Sequence, residues 1–345
     1  MPELLELLKD HTTLRLGGPA RTWLRAETEQ DLVDAVRTCD EAGEPVLVLA
    51  GGSNVVVADD GFAGTVVEVA TTGVAADHEG DDPTCGGVLV TVAAGESWEA
   101  FVAHAVDHGW LGIEALSGIP GSVGATPIQN VGAYGQEVAQ TLASVRVWDR
   151  TLRGVRTFAA ADCGLGYRTS RFKADPGRHV VLTVTFQFRQ GELAEPVTYA
   201  ELAGLLEVEP GGRAPMTDVR RGVLELRTRK GMVLDPADHD TWSAGSFFTN
   251  PVVPAETLPE GAPAWPQPDG RVKTSAAWLI ERAGFGKGYG DGAARLSTKH
   301  TLALTNRGDA TTAEVLALAR ELRDGVESRF GIRLVNEPVL VGVEL

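Results

Sequence analysis

The stretch TEQDLVDAVRTCDEAGEPVLVLAGGSNVVVA, residues 28–58, decides the fold class. Thr28 with Asp31 three residues on is a capping-box pattern, Leu32, Val33, Val36 and Cys39 recur at helical spacing, and Gly43 supplies a stop, so a helix is predicted. Pro45 then opens an apolar run at 46–50. It breaks at Gly51, Gly52, Ser53 and Asn54 before a second run at 55–58, which reads as strand, turn, strand. Working outward, residues 66–69 and 88–93 predict two more strands, and Trp98, Phe101, Val102, Ala105 and Val106 mark a helix stopped by Gly109. Strands and helices alternate, the signature of an α/β or α+β class. Later β-rich segments lie at 145–148 and 180–188. A helix over 312–330, with Val315, Leu318, Ala319 and Leu322 on one face, precedes short strands around 332–335 and 339–343. The acidic, glycine-rich residues 77–87 read as a solvated loop, and the polar, proline-bearing residues 190–197 suggest a domain boundary near 200.

Composition narrows the function. At ~150 residues per domain, 345 residues make two or three domains with a real core. Thirty-one basic side chains against 47 acidic ones give a formal net charge of −16, a surface that repels phosphodiester backbones and anionic membranes. Three cysteines (Cys39, Cys85, Cys163) without CxxC spacing argue against a disulfide framework or a zinc knuckle. The start, MPELLELLKDHTTLRLGG, lacks a basic region followed by a continuous apolar stretch, so no signal peptide is read and a cytoplasmic location is expected. The charge-free stretch 115–135 approaches membrane-span length but carries five glycines, two prolines, Gln129 and Asn130, and is read as a loop system. Residues 213–299 hold twelve Lys/Arg and ten Asp/Glu, so this one non-acidic region suits an anionic ligand.

Two glycine clusters follow apolar runs: Gly51-Gly52-Ser53-Asn54, and Gly118, Gly121, Gly124 continuing to Gly132 and Gly135. Successive N–H groups in such turns make concave anion sites, and the missing Cβ lets a diphosphate approach. Glycines also simply make turns, and one cluster alone favours that reading. The amides and hydroxyl of Ser53, Asn54, Gln129 and Asn130 beside both clusters tilt the balance toward a flavin or purine edge. Familiar alternatives are weaker. There is no Walker A and no GxSxG elbow. The glycines of 284–292 have dinucleotide-fingerprint spacing but follow the helical text SAAWLIERA instead of a strand. His104 and His108 stand four apart without the HExxH glutamate, as a solvated helix face would.

The motifs IPGSVGATPIQNVGAYG (119–135) and AGGSNVVVAD (50–59), with GYRTSRFK (166–173), AGSFFTNP (244–251) and LVNEP (334–338) in order, resemble the UDP-N-acetylenolpyruvoylglucosamine reductase (MurB) family over nearly the whole chain. The resemblance implies an α+β fold: an FAD-binding body of two α+β subdomains (PCMH/VAO-like) plus a third α+β substrate-binding domain. The expected divisions are 1–73 completed by 331–345, then 74–204, then 205–330. It implies non-covalent FAD, NADPH as electron donor, and an enolpyruvyl sugar nucleotide as substrate, in a chain expected to act as a monomer. Flavin contacts are implied at Gly51, Gly52, Ser53, Asn54, Ile119, Pro120, Gly121, Val123, Gly124, Ala125, Gln129, Asn130, Gly132, Ala133 and Tyr134.

In this family hydride reaches the terminal carbon of an enolpyruvyl ether, and the enolate that develops needs cationic help and a proton. Arg168 matches the arginine that steadies the enolate, Ser246 the proton donor to the α-carbon, and Glu337 the glutamate completing the set. PVTYAEL (196–202) resembles the form with a tyrosine-bearing loop, so Tyr199 would close over the sugar nucleotide. Lys230 matches a substrate-binding lysine, and Tyr167, Asn250, Lys273 and His300 are further substrate candidates. Two rivals remain at this stage: a flavin oxidase or dehydrogenase of the same fold, and a non-catalytic flavin or sugar-nucleotide binder. The first gives no reason for Ser246, the second none for Arg168, Ser246 and Glu337 together.

Overall fold

A computed structural model describes residues 6–78 and 87–345; most of the acidic 77–87 stretch, Cys85 included, lies outside the described residues. The chain forms two compact units. One comprises residues 21–51 and 63–228, the other residues 1–20, 52–62 and 229–345. This division and the three parts implied by the resemblance cut the chain at different places.

In the first unit, helix Glu29–Ala42 begins with the capping box of Thr28 and Asp31 and ends at Gly43 with φ 65°. It buries Leu32, Val33, Val36 and Cys39, the stripe read from the sequence. Strand Val46–Leu49 pairs in parallel with Phe62–Val69, in register Val46 to Thr65. The larger sheet is antiparallel, in the order Gly154–Ala159, Leu142–Asp149, His179–Gln190, Val88–Ala93, Val74–His78. Its inward face carries Val90, Val92, Val145, Val147, Val184 and Phe186, closed by Trp98, Phe101 and Val102 of helix Trp98–Asp107. Each such side chain contributes roughly 1.5–3 kcal/mol on full burial. Helices Ala200–Leu205 and Met216–Arg229 cover another part of this unit, through Leu202, Met216, Val219, Val223 and Leu226 packed with Leu111, Ala115 and the half-buried Tyr134.

In the second unit, strand Val55–Val57 pairs in parallel with Val339–Val341. The two runs flanking Gly51 and Gly52 therefore do not form a hairpin: each joins a parallel partner in a different sheet. Helix Thr312–Phe330 starts with the capping box of Thr311 and Glu314 and stops at Gly331 with φ 68°. Its first free N–H groups, on Thr312 and Ala313, donate to the Asp59 carboxylate at 2.7 and 3.0 Å. Hairpin Ala294–Leu296 with Leu304–Asn306 and helix Ala276–Arg282 pack on the same core, around Phe247, Phe248, Leu279, Leu296 and Leu322. The glycine-studded 284–292 stretch follows that helix and no strand, so its fingerprint spacing is incidental.

Candidate active site

The glycine-rich stretch 115–135 folds as short turns: Glu114–Leu116 and Val123–Ala125 are 3-10, Thr126–Gln129 is one helical turn, and Gly132–Ala133 is extended. Gly51 meets it directly. A Cβ on Gly51 would lie 2.7 Å from the Gly121 Cα, so the two glycine clusters touch through bare backbone. Ile119, Pro120, Gly121, Val123, Gly124 and Ala125 line this turn, whose Gly124 N–H donates to the Ala94 carbonyl at 2.8 Å. Gly52, Ser53 and Asn54 continue into the other unit, where the Asn54 carbonyl accepts from Val339 N–H at 3.0 Å.

Segment 166–173 clamps onto this loop. Arg168 donates from Nη2 to the Gly132 carbonyl at 2.8 Å and from Nη1 to the Asn130 carbonyl at 3.3 Å. Lys173 Nζ bonds the Arg168 carbonyl at 3.1 Å and the Gln129 side chain at 2.5 Å, and Ser170 Oγ donates to the Ile128 carbonyl at 2.7 Å. Asn130 Nδ2 donates to Glu137 and to the Gly166 carbonyl, while its Oδ1 accepts from Ala139 N–H. Asn130, Tyr134 and Arg168 all have left-handed backbones, with φ 44°, 50° and 53°. Each costs about 1–2 kcal/mol in a non-glycine residue and persists only where surrounding bonds enforce it. The Tyr134 ring meets the Tyr199 ring edge-on at 5.1 Å, and the Arg168 guanidinium lies 5.6 Å from the Tyr167 ring centre. Lys173, within the GYRTSRFK motif, is a further member of this cluster that the motif likeness does not single out. The signal was a cation five positions after the arginine.

Ser246 and Glu337, 91 positions apart, come together within the second unit. Glu337 N–H donates to the Phe247 carbonyl at 2.8 Å, Thr249 N–H to the Val335 carbonyl at 3.0 Å, and Phe248 bridges Asn336. The two motifs are thus neighbouring antiparallel segments, locked by Phe247 and Phe248, each 1% exposed. Asn250 Oδ1 accepts from Ala276 N–H at 3.0 Å, fixing the start of helix Ala276–Arg282. Lys273 pairs with Val252 and its ammonium lies 6.0 Å from the Trp265 ring centre. His300 sits in a turn where its N–H reaches Ser297 Oγ at 3.3 Å. Asp240 braces that turn: it accepts from Thr298 N–H and from Arg307, both at 2.8 Å. Burial pushes its carboxyl up, but the Thr298 and Arg307 contacts outweigh that and hold it below the usual range. The Asp240 carbonyl also packs on Gly231, next to Lys230.

A cavity of about 630 Å³ in the first unit is lined by Leu111, Gly112, Gln136, Gln187, Glu195 and Thr198 among others, and by none of the flavin or substrate candidates. His104 and His108 are not a bare solvated face. Their rings lie 4.0 Å apart and pack on Trp110, and desolvation followed by the charge of His108 lowers the pKa of His104. Cys163 is buried, which drives its thiol up to about 11.

A profile of the FAD binding domain matches residues 20–154, and one of the UDP-N-acetylenolpyruvoylglucosamine reductase C-terminal domain matches residues 235–341. The UDP-N-acetylenolpyruvoylglucosamine reductase of Cutibacterium acnes is 59% identical over 96% of this chain and 88% of that protein. Its counterpart from Thermobifida fusca is 56% identical over 98% and 97%. The crystal structure of the MurB reductase from Thermus caldophilus superposes with a TM-score of 0.65 at 27% identity, covering 98% of both chains. The chain, similar to these reductases along nearly its whole length, belongs to the UDP-N-acetylenolpyruvoylglucosamine reductase family.

Proposed function

We propose that this chain reduces UDP-N-acetylglucosamine enolpyruvate to UDP-N-acetylmuramate, an NADPH-consuming, FAD-dependent step of peptidoglycan precursor synthesis, with Arg168, Ser246 and Glu337 as its reacting groups. FAD suits the residues present: two glycine-bearing turns meet through bare backbone at Gly51 and Gly121, with the amides of Gln129 and Asn130 in the same loop system. When bound, it supplies two-electron transfer from nicotinamide to the enolpyruvyl carbon.

The chain's residues manage the charge and the proton. Arg168 brings a guanidinium, a group whose directional N–H donors suit a carboxylate, so it steadies the enolate. Its tethers to Asn130 and Gly132 restrict where the guanidinium points. Ser246 Oγ gives a proton to the α-carbon; an alcohol is a weak acid, but an enolate is a strong base and one positioned transfer suffices. Glu337, on the segment next to Ser246, hydrogen-bonds the intermediate or supports the donor. That main-chain pairing is the observation that best supports the assignment. Tyr199 and Lys230 take the sugar nucleotide, with Tyr167, Asn250, Lys273 and His300 as further contacts, and the charge-balanced 213–299 region admits a diphosphate to an otherwise acidic protein. Among the described residues no helix is long and apolar enough to cross a membrane. A cytoplasmic location and a monomeric state are further parts of this reading.

An anaerobic cuvette tests the reading. NADPH should bleach the yellow protein, and the enolpyruvyl nucleotide should restore the colour without oxygen. Bleaching without recolouring would leave only a flavin dehydrogenase of the same fold, and no colour at all would leave the chain without its cofactor.

A further inference from the structure

Glu114 is fully buried, and its carboxylate is held by three N–H donors from three separate segments of the first unit. Gly112 N–H reaches Oε2 at 2.7 Å, while Gln136 Nε2 and Glu195 N–H reach Oε1 at 2.8 and 3.1 Å. Gln136 answers by accepting Ala115 N–H on its Oε1 at 2.7 Å. Removing a carboxylate from water costs several kcal/mol unless such donors replace the solvent, so the node is fixed in geometry while it stays satisfied. Two of the three segments carry candidate binding residues. Tyr134 lies two residues before Gln136 and Tyr199 four residues after Glu195. Those segments touch again further along, because a Cβ on Gly135 would lie 2.7 Å from Thr198 Oγ1 and the two tyrosine rings meet at 5.1 Å. Tyr199 is 43% exposed, so its ring is free to engage a ligand while its base is pinned.

We propose that Glu114 is a positioning residue for substrate binding: by gripping Gln136 and the Glu195 N–H together, it sets the Tyr199 segment in register with the loop that carries Tyr134. The inference rests on the reading of Tyr199 as the residue that closes over the sugar nucleotide. It predicts an effect on the nucleotide half-reaction and little on the NADPH one.

Glu114→Gln puts an amide donor where acceptors are needed, and Gln136→Leu cuts the same link from the other end should the first variant fold poorly. Each FAD-loaded variant, Tyr199→Ala, and the doubles with Tyr199→Ala are compared with the parent. Either link variant should raise the enolpyruvyl nucleotide concentration for half-maximal recolouring about tenfold and keep NADPH bleaching within about twofold; in the Tyr199→Ala background each should add less than about twofold. If Tyr199→Ala raises that concentration while both link variants leave it unchanged, or if the effects multiply, the positioning role is wrong and the Tyr199 reading stands. If Tyr199→Ala itself changes nothing, the Tyr199 reading fails and takes the proposal with it. Equal slowing of bleaching and recolouring would show a general structural role and overturn the inference.

Discussion

Arg168 and Ser246 are held by different physics. Arg168 stands on irregular backbone, in a left-handed conformation that its neighbours Asn130 and Tyr134 share, and its place is set by side chain to main chain bonds involving Asn130, Gly132 and Lys173. Ser246 stands directly before Phe247 and Phe248, both core, so main-chain pairing at these two residues and apolar burial fix it. The first arrangement is specified by a few directional bonds, each replaceable only by a group of the same shape. The second is specified by packing that tolerates change at the serine itself. A substitution at Ser246 should therefore read out chemistry alone, whereas one around Arg168 should read out structure and chemistry together.

The largest effect is expected at Ser246. Ser246→Ala should slow recolouring by the enolpyruvyl nucleotide by about 10²–10⁴-fold, leave NADPH bleaching intact, and change stability by less than about 0.5 kcal/mol. Stopped-flow absorbance of both half-reactions, with urea unfolding alongside, checks it. Equal slowing of the two half-reactions would remove the serine from proton donation.

Asn130 tests the other side. Asn130→Ala deletes three hydrogen bonds and leaves a β-carbon in a left-handed backbone, for a loss of about 2–4 kcal/mol, whereas Asn130→Gly recovers about 1 kcal/mol of it by relieving the backbone. Urea midpoints of the two variants decide. If alanine and glycine come out equal, the conformation carries no cost and the contrast with Ser246 is weaker than the geometry suggests.

What the sequence disclosed follows the same divide. The helix starting at Thr28 was legible because cap, stripe and stop all lie within one turn of the residues they govern, and the one over 312–330 because of its apolar stripe, while its Thr311 cap and Gly331 stop are seen in the fold. Strand Val88–Ala93 was legible to the residue. The partners of 46–49 and 55–57 were not: alternation and apolarity predict a strand, but nothing local says that Val55 pairs with Val339. At the site, motif likeness supplied Ser246 and Glu337 as names, and only the fold shows them on adjacent segments. Positive φ was invisible at Arg168 and Tyr134, because sequence flags it at glycine and asparagine and these two are held there by distant contacts. Glu114 was passed over for a similar reason, since a lone glutamate among apolar residues carries no mark of the three segments it joins.

The smallest effect sharpens the comparison by pH. His179, on the long strand of the first unit, has a side chain 3% exposed, between Phe158 and Phe172 at 5.4 and 5.6 Å and with Asp149 3.7 Å away. Desolvation lowers its pKa, outweighing the nearby Asp149 carboxylate, with the Arg178 charge adding to the lowering. Below its ordinary value of about 6.5 the unfolded chain takes up a proton that the folded one refuses, so stability is full above that pH and falls as the pH drops toward the folded value. Asp149, held low chiefly by its hydrogen bond to Arg178, keeps its contribution until the pH falls through its own depressed value. Between the two, His179 alone of this pair should respond. Urea midpoints of parent and His179→Gln, compared from pH 7.5 to 5.5, should converge as the pH falls, because the variant lacks the titrating ring. Parallel curves would show that the ring is protonated without cost in the fold, and that packing instead of charge governs this part of the sheet as it governs Ser246.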